Sequence, residues 1–120
     1  MPKILSAEAI ASYRSDGFFS PIRVLSAARV AACRAQLEAF EATSGGPIAG
    51  AYRFKTHLLF PWVDEVVRDG AILDAVEDVL GPNILCWNTN FFIKEAGDPG
   101  FVSWHQDSTY WGLSEPDVVT

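Results

Sequence analysis

Cysteine, methionine and histidine are all scarce in this chain of 120 residues, which has two cysteines, one methionine and two histidines. Cys33 and Cys86 do not form a close Cys-x-x-Cys pair of the kind that indicates a redox centre or a zinc site. We expect both of them to be buried free thiols, which is how lone cysteines usually behave. The scarcity of histidine leaves only His57 and His105 as imidazole ligands for a metal.

Positive charge is also scarce. Nine lysines and arginines stand against fifteen aspartates and glutamates, which gives a net charge of −6, and neither cation occurs after Lys94. A chain this acidic lacks the basic surface that nucleic acids and anionic membranes require, so we expect neither as a partner. No leader-like segment and no apolar run of about 20 residues is present, and we therefore expect a cytoplasmic protein.

The sequence lacks three common catalytic motifs: the Gly-x-Ser-x-Gly elbow, the phosphate-binding loop with Lys-Ser/Thr, and His-Glu-x-x-His. What is present is a globular composition, with 49% apolar and 12% aromatic residues. Disordered chains are poor in aromatic residues. The length fits one domain over residues 1–120.

Helical signals dominate the first eighty residues. Ser6 and Ser26 are predicted N-caps of two helices, which end at Gly17 and at residues 43–47. Apolar residues at helical spacing predict further helix from Lys55, and Asp69 is expected to cap a last helix that runs to Leu80. The acidic side chains of these later helices are interpreted as a solvated helix surface.

Strand signals dominate the remainder. Residues 84–94 are rich in β-forming side chains, and shorter strands are predicted over 18–24 and 101–104. The last residues, Asp117 to Thr120, are interpreted as a strand cut in mid-course. Helices followed by strands predict an α+β fold with a sheet that has only begun.

His105 and Asp107 are the most informative pair, because residues i and i+2 of an extended backbone project to the same face. They would supply two thirds of the two-histidine-one-carboxylate triad that binds iron(II) and leaves positions open for oxygen chemistry. The tripeptide alone leaves a simpler interpretation open, in which His105 is hydrogen-bonded to a nearby turn aspartate. His57 is a possible third ligand, but its apolar helical flank favours a core or capping histidine.

The surroundings of this pair resemble the phytanoyl-CoA dioxygenase family of iron(II)/2-oxoglutarate oxygenases. The resemblance covers residues 53–120: the Gly81-Pro82 turn, the strand ending at Lys94, a glycine-containing loop, and the stretch Trp104 to Trp111 followed by Pro116-Asp117. It implies N-terminal helices packed on the start of a double-stranded β-helix, the cupin-like jelly roll. The first fifty residues are similar to the usual N-terminal part of the same family.

Residue by residue, the resemblance implies that His105 and Asp107 bind iron(II). It also implies two contacts to 2-oxoglutarate, from Lys55 and Asn90; a cation there would offset the charge of a dianion. The alternatives are an ordinary solvated lysine for Lys55 and a structural polar residue of its strand for Asn90. Tyr110 and Trp111 are expected to line a substrate pocket, with core aromatic residues as the alternative.

The family pattern also requires a second histidine ligand and an arginine that binds the distal carboxylate of 2-oxoglutarate, and neither follows Asp107 here. We therefore expect the N-terminal portion of a dioxygenase that hydroxylates a small organic or acyl substrate with O2 and converts 2-oxoglutarate to succinate. The alternative is a non-catalytic metal-binding or interaction module derived from that fold.

Overall fold

The fold is built from helices. A computed structural model describes residues 1–115 and 117–120, so Pro116 of the motif discussed above lies outside the described residues. Within these ranges the α-helices, labelled α1 to α5 in chain order, are Ala7–Asp16, Ala27–Ser44, Pro61–Val67, Gly70–Leu80 and Ser108–Trp111. Two 3₁₀ turns, Gly50–Arg53 and Thr56–Leu58, connect α2 to α3.

The predicted caps of α1 are confirmed at both ends. The Ser6 hydroxyl accepts a hydrogen bond from the Ala9 amide at 3.1 Å, which satisfies one of the unpaired N–H groups of the first turn. At the other end Gly17 has φ = +81°, and its amide donates to the Tyr13 carbonyl. Glycine adopts this left-handed conformation without steric cost, so the helix ends there.

The later helices begin as the side-chain chemistry predicts. Ser26 caps α2 through the Arg29 amide, and Asp69 caps α4 through the Ala71 amide. The helix predicted from Lys55 is instead a short 3₁₀ turn followed by α3, which begins at Pro61. Proline suits a first helical position because the N–H that it lacks would have no partner there.

Aromatic side chains join α2, α3 and the segment after α4. Phe60 lies at the centre: its ring centroid is 4.9 Å from that of Phe40 and 6.5 Å from that of Phe91. Trp62 also packs on Phe91, at 5.9 Å. Edge-on and tilted contacts of this kind add to the free energy gained by burying the rings. The cluster therefore places residues 88–91 beside the start of α3.

The N-terminal residues are bound to α4. The Asp78 carboxylate accepts hydrogen bonds from the backbone amides of Lys3, Ile4 and Leu5 at 2.7–2.8 Å. The Lys3 ammonium also forms ion pairs with Asp74 and Glu77. Part of the acidic surface of α4 therefore binds the chain terminus instead of facing solvent alone.

The predicted α+β fold, with helices packed on the start of a jelly roll, is wrong for the described residues. The ranges 18–24, 84–94, 101–104 and 117–120 contain no strand, and one isolated antiparallel bridge joins Phe54 to Asn90. Side chains with high β-propensity form a sheet only when a neighbouring strand accepts and donates the backbone hydrogen bonds. The described part of the chain supplies that partner at a single position.

The predicted burial of the two cysteines also needs correction. Both cysteines are free, as expected, but Cys33 is half-buried and Cys86 is exposed. Several large apolar side chains of the predicted strands are exposed as well, among them Leu85, Phe92 and Phe101.

Among the described residues no helix combines the length and the apolar character needed to cross a membrane.

Candidate metal centre

His105 and Asp107 lie side by side at the start of α5. The Nε2 atom of His105 is 3.2 Å from Oδ1 of Asp107. The backbone before Asp107 is irregular, and Asp107 itself has helical dihedral angles as the N-cap of α5. The two side chains thus meet through the turn into α5 and not through the extended strand that the sequence predicts.

Neighbouring groups hold each member of the pair. Nδ1 of His105 is 2.8 Å from the carbonyl oxygen of Ser103, and Oδ2 of Asp107 accepts a hydrogen bond from the Thr120 hydroxyl at 2.8 Å. A carbonyl can only accept, so Nδ1 carries the proton and Nε2 is the nitrogen directed at Asp107. Metal-binding histidines are commonly oriented in this way by a hydrogen bond from the other ring nitrogen.

The same contacts shift the titration of the imidazole. The Ser103 carbonyl has the largest effect and raises the pKa of His105 above its ordinary value of 6.5, and the Asp107 carboxylate raises it further. Both partners are hydrogen-bond acceptors, so both ring nitrogens are satisfied as donors only in the protonated imidazolium. A metal ion at Nε2 would replace that second proton.

The donor atoms fit one divalent metal ion. Bonds from a first-row metal such as zinc to imidazole nitrogen and carboxylate oxygen are about 2.0–2.2 Å long, so donors 3.2 Å apart can share an ion. The described residues contain no group of three or more histidine, cysteine or acidic side chains that could hold a metal. His57 therefore does not complete the site; its ring lies 2.8 Å from the Thr89 hydroxyl.

A cleft of about 900 Å³ adjoins the pair. Its walls come from α1, from the segment that follows α1, from α4, and from residues 104–108 and 117–120. His105 and Asp107 both line it, but Tyr110 and Trp111 are not among its described lining residues. The Tyr110 ring instead meets the His105 ring edge-on at 6.2 Å, and Trp111 packs on Trp87 at 5.9 Å.

Lys55 lies beside Trp87, apart from this cleft. Its backbone adopts the left-handed conformation, with φ = +49°, and its amide donates to Oδ1 of Asn88. Its Nζ is 5.2 Å from the centroid of the Trp87 ring, within the range of a cation–π interaction. This contact could not be predicted from the sequence, because it joins residues 32 positions apart that share no local pattern.

Asn90 forms the bridge to Phe54 and lines a second, smaller cavity of about 240 Å³. That cavity also includes Thr56 and Thr89 but neither His105 nor Asp107 among its described lining residues. The structure therefore brings His105 and Asp107 together with Tyr110, and places Lys55 and Asn90 on the neighbouring segments 53–57 and 87–91.

A cleft lined by an imidazole and a carboxylate that can share a metal ion is the kind of site found in metal-dependent oxygenases. The family model described as phytanoyl-CoA dioxygenase (PhyH) matches residues 13–120, and the chain belongs to that family. Two ectoine dioxygenases, from Bordetella parapertussis and Bordetella bronchiseptica, are each 29% identical to it over 126 aligned positions.

These alignments cover 92% of this chain and 40% of each relative. The chain therefore spans about two fifths of the length of the curated relatives that it matches. No solved structure matches it significantly.

Proposed function

We propose that this chain forms part of the active centre of an iron(II)/2-oxoglutarate-dependent dioxygenase. The observation that carries the proposal is the 3.2 Å approach of His105 Nε2 to Asp107 Oδ1 at the edge of a cleft, in a chain of the phytanoyl-CoA dioxygenase family. The reaction would hydroxylate a C–H bond of a small organic substrate. One atom of O2 enters the product and the other enters succinate, formed with CO2 from 2-oxoglutarate.

His105 and Asp107 would be two of the metal ligands. Bound iron(II) would supply the activation of O2, which no protein side chain can perform. The Ser103 carbonyl would keep the His105 ring oriented with Nε2 available, and the Thr120 hydroxyl would fix the Asp107 carboxylate. The third protein ligand and the arginine that the family resemblance implies do not follow Asp107 in these 120 residues.

Lys55 and Asn90 are proposed to bind 2-oxoglutarate. The Lys55 ammonium lies over the Trp87 ring, 5.2 Å from its centroid. A lysine is well suited to offset the charge of a dianion as a compact point charge. Tyr110, whose ring meets the His105 ring edge-on, and Trp111 are proposed to contact the substrate.

Iron-dependent formation of succinate tests the proposal. The natural protein that contains this chain would be loaded anaerobically with iron(II), supplied with 2-oxoglutarate and O2, and assayed for succinate. Asp107→Ala should lower turnover by at least about 100-fold, because loss even of the partners of metal ligands costs about 10–100-fold. Asp98→Ala is the matched control, since the Asp98 carboxylate accepts a hydrogen bond from the Gly100 amide in a turn and is not among the described residues that line the cleft.

The possible results are distinct. Unchanged turnover in Asp107→Ala would remove Asp107 from the site. Metal binding that depends on His105 and Asp107 but yields no succinate would instead indicate the non-catalytic metal-binding module.

A further inference from the structure

The cleft beside His105 and Asp107 contains one strongly basic side chain. Arg14 projects from the last turn of α1 and is the only lysine or arginine among the described residues that line the cleft. The candidate metal ligands lie far from Arg14 in the sequence, at the start of α5. A cation and a metal-binding pair therefore share one cavity.

Arg14 is exposed, and its guanidinium takes part in none of the hydrogen bonds or ion pairs between described residues. Most other arginines do have such a partner: Arg29 pairs with Glu65, Arg34 with Glu38, Arg68 with Asp64, and Arg53 donates to the Phe91 carbonyl. A guanidinium presents a planar array of donors that matches a carboxylate in two parallel hydrogen bonds. Arg14 is therefore free to bind an anion that enters the cleft.

The rest of the lining is partly polar, with Tyr13, Gln106 and Asp117 among its residues, and partly apolar. Phe18 and Phe19 follow α1, and Val79 and Leu80 come from the last turn of α4. The Phe18 ring also lies 6.3 Å from the ring of Trp104, which precedes His105. Small-molecule sites typically combine such apolar walls with a few polar groups that fix the orientation of the ligand.

We propose that this cleft binds an organic substrate that carries a carboxylate, with the carboxylate on Arg14 and the apolar part of the molecule against Phe18 and Phe19. Calling this ligand the substrate rests on the proposed dioxygenase function. The cosubstrate 2-oxoglutarate offers the same carboxylate chemistry. Lys55, the cation proposed for it, is not among the described residues that line this cleft, so the test below compares Arg14 with Lys55 for that ligand.

Ligand binding without metal or turnover tests the assignment. Hexanoate and the neutral isostere hexanamide would be titrated into the full chain, and binding followed by NMR shifts of cleft residues. We expect hexanoate to bind about fivefold more tightly than hexanamide, because its carboxylate can form one exposed, charge-assisted hydrogen-bonded pair with Arg14. That preference should vanish in Arg14→Gln and persist in part in Arg14→Lys.

Arg23→Gln is the matched control. Arg23 is also exposed, has no ion pair with a described residue, and does not line the cleft, so its loss changes the net charge equally. It should leave the preference for hexanoate intact. Thermal melts of the two variants should match that of the wild type, because neither guanidinium has a hydrogen bond or ion pair with a described residue.

Three results would overturn the proposal. Equal affinity of the wild type for hexanoate and hexanamide would show that the cleft does not recognise a carboxylate. If Arg14→Gln and Arg23→Gln reduced the preference for hexanoate equally, the preference would come from the net charge and not from Arg14. Weaker binding of 2-oxoglutarate in Arg14→Gln, with no change in Lys55→Gln, would assign Arg14 to the cosubstrate. A failure of the dioxygenase proposal would appear separately, as absence of succinate with hexanoate binding retained.

Discussion

The ammonium group of Lys55 lies 5.2 Å from the centroid of the Trp87 ring. Trp87 also packs on Trp111, whose ring centroid is 5.9 Å away. Trp87 therefore connects the lysine proposed for 2-oxoglutarate to the helix that follows the candidate metal pair. If Lys55 binds 2-oxoglutarate as proposed, we expect Trp87 to act as a positioning residue through its contact with Lys55.

Replacing Trp87 with leucine should weaken binding of 2-oxoglutarate. Cation–π contacts at exposed positions contribute about 0.5–1 kcal/mol, so we expect a loss of about two- to fivefold in affinity, measured by calorimetry. Trp87→Phe retains an aromatic face and should recover part of the affinity. Equal affinities in the wild type and Trp87→Leu would show that the ring does not position Lys55.

Replacing Thr89 with valine should destabilise the fold. The Thr89 hydroxyl lies 2.8 Å from the hydroxyl of Thr56, which is only 2% exposed, and accepts a hydrogen bond from the His57 amide at 3.0 Å. Loss of the hydroxyl leaves the half-buried His57 amide without this acceptor, which costs about 1–3 kcal/mol in the free energy of unfolding. Urea denaturation measures the loss. The exposed Thr43→Val in α2 should change stability by less than about 0.5 kcal/mol.

Gly17 should not tolerate a side chain. Its φ of +81° ends α1, and a Cβ there is strained even though no atom lies within 4 Å of it. Gly17→Ala should lower the free energy of unfolding by about 1 kcal/mol. Gly46→Ala is the matched control, because its surroundings are equally open and its φ lies outside the left-handed region. Equal effects of the two substitutions would contradict this explanation.

The contact between Asp78 and the N-terminal residues should depend on pH. Burial alone would raise the pKa of Asp78, but the amides of Ile4, Leu5 and Lys3 together lower it below 3.8. A carboxyl with a lowered pKa stabilises the fold fully above its ordinary pKa, and this contribution is lost as the pH falls through the lowered value.

Asp78→Asn should therefore be less stable than the wild type at pH 7, and the difference should shrink as the pH falls below about 4. Denaturation curves at pH 7, 4 and 3 measure it. A difference that does not change with pH would show that the charge of Asp78 has no role.

The sequence predicts the helix ends well because their signals are local. Ser6 and Gly17 each act on an amide or carbonyl within four positions. The strands could not be predicted in the same way, since residues 84–94 need a partner strand that the described chain supplies only at Asn90. Propensity describes what a segment favours, and pairing depends on the rest of the fold.

The candidate site shows the same division. His105 and Asp107 are two positions apart, so their proximity follows from any turn or strand that holds them on one side. The contacts of Trp87 with Lys55 and of Arg14 with the cleft join distant parts of the chain. No spacing or motif in a single sequence indicates them.

The hydrogen bonds between Thr56 and Thr89 join residues 33 positions apart, with α3 and α4 between them. Forming them requires closure of that loop, an entropic cost that rises with the logarithm of its length. The contacts inside α4 are local and need no such closure. The order in which these elements form during folding therefore follows from the chain topology. The amides of Thr56 and Phe91 should gain protection from hydrogen exchange only after those of α4. The segments that carry Lys55 and Asn90 are thus expected to form after α4.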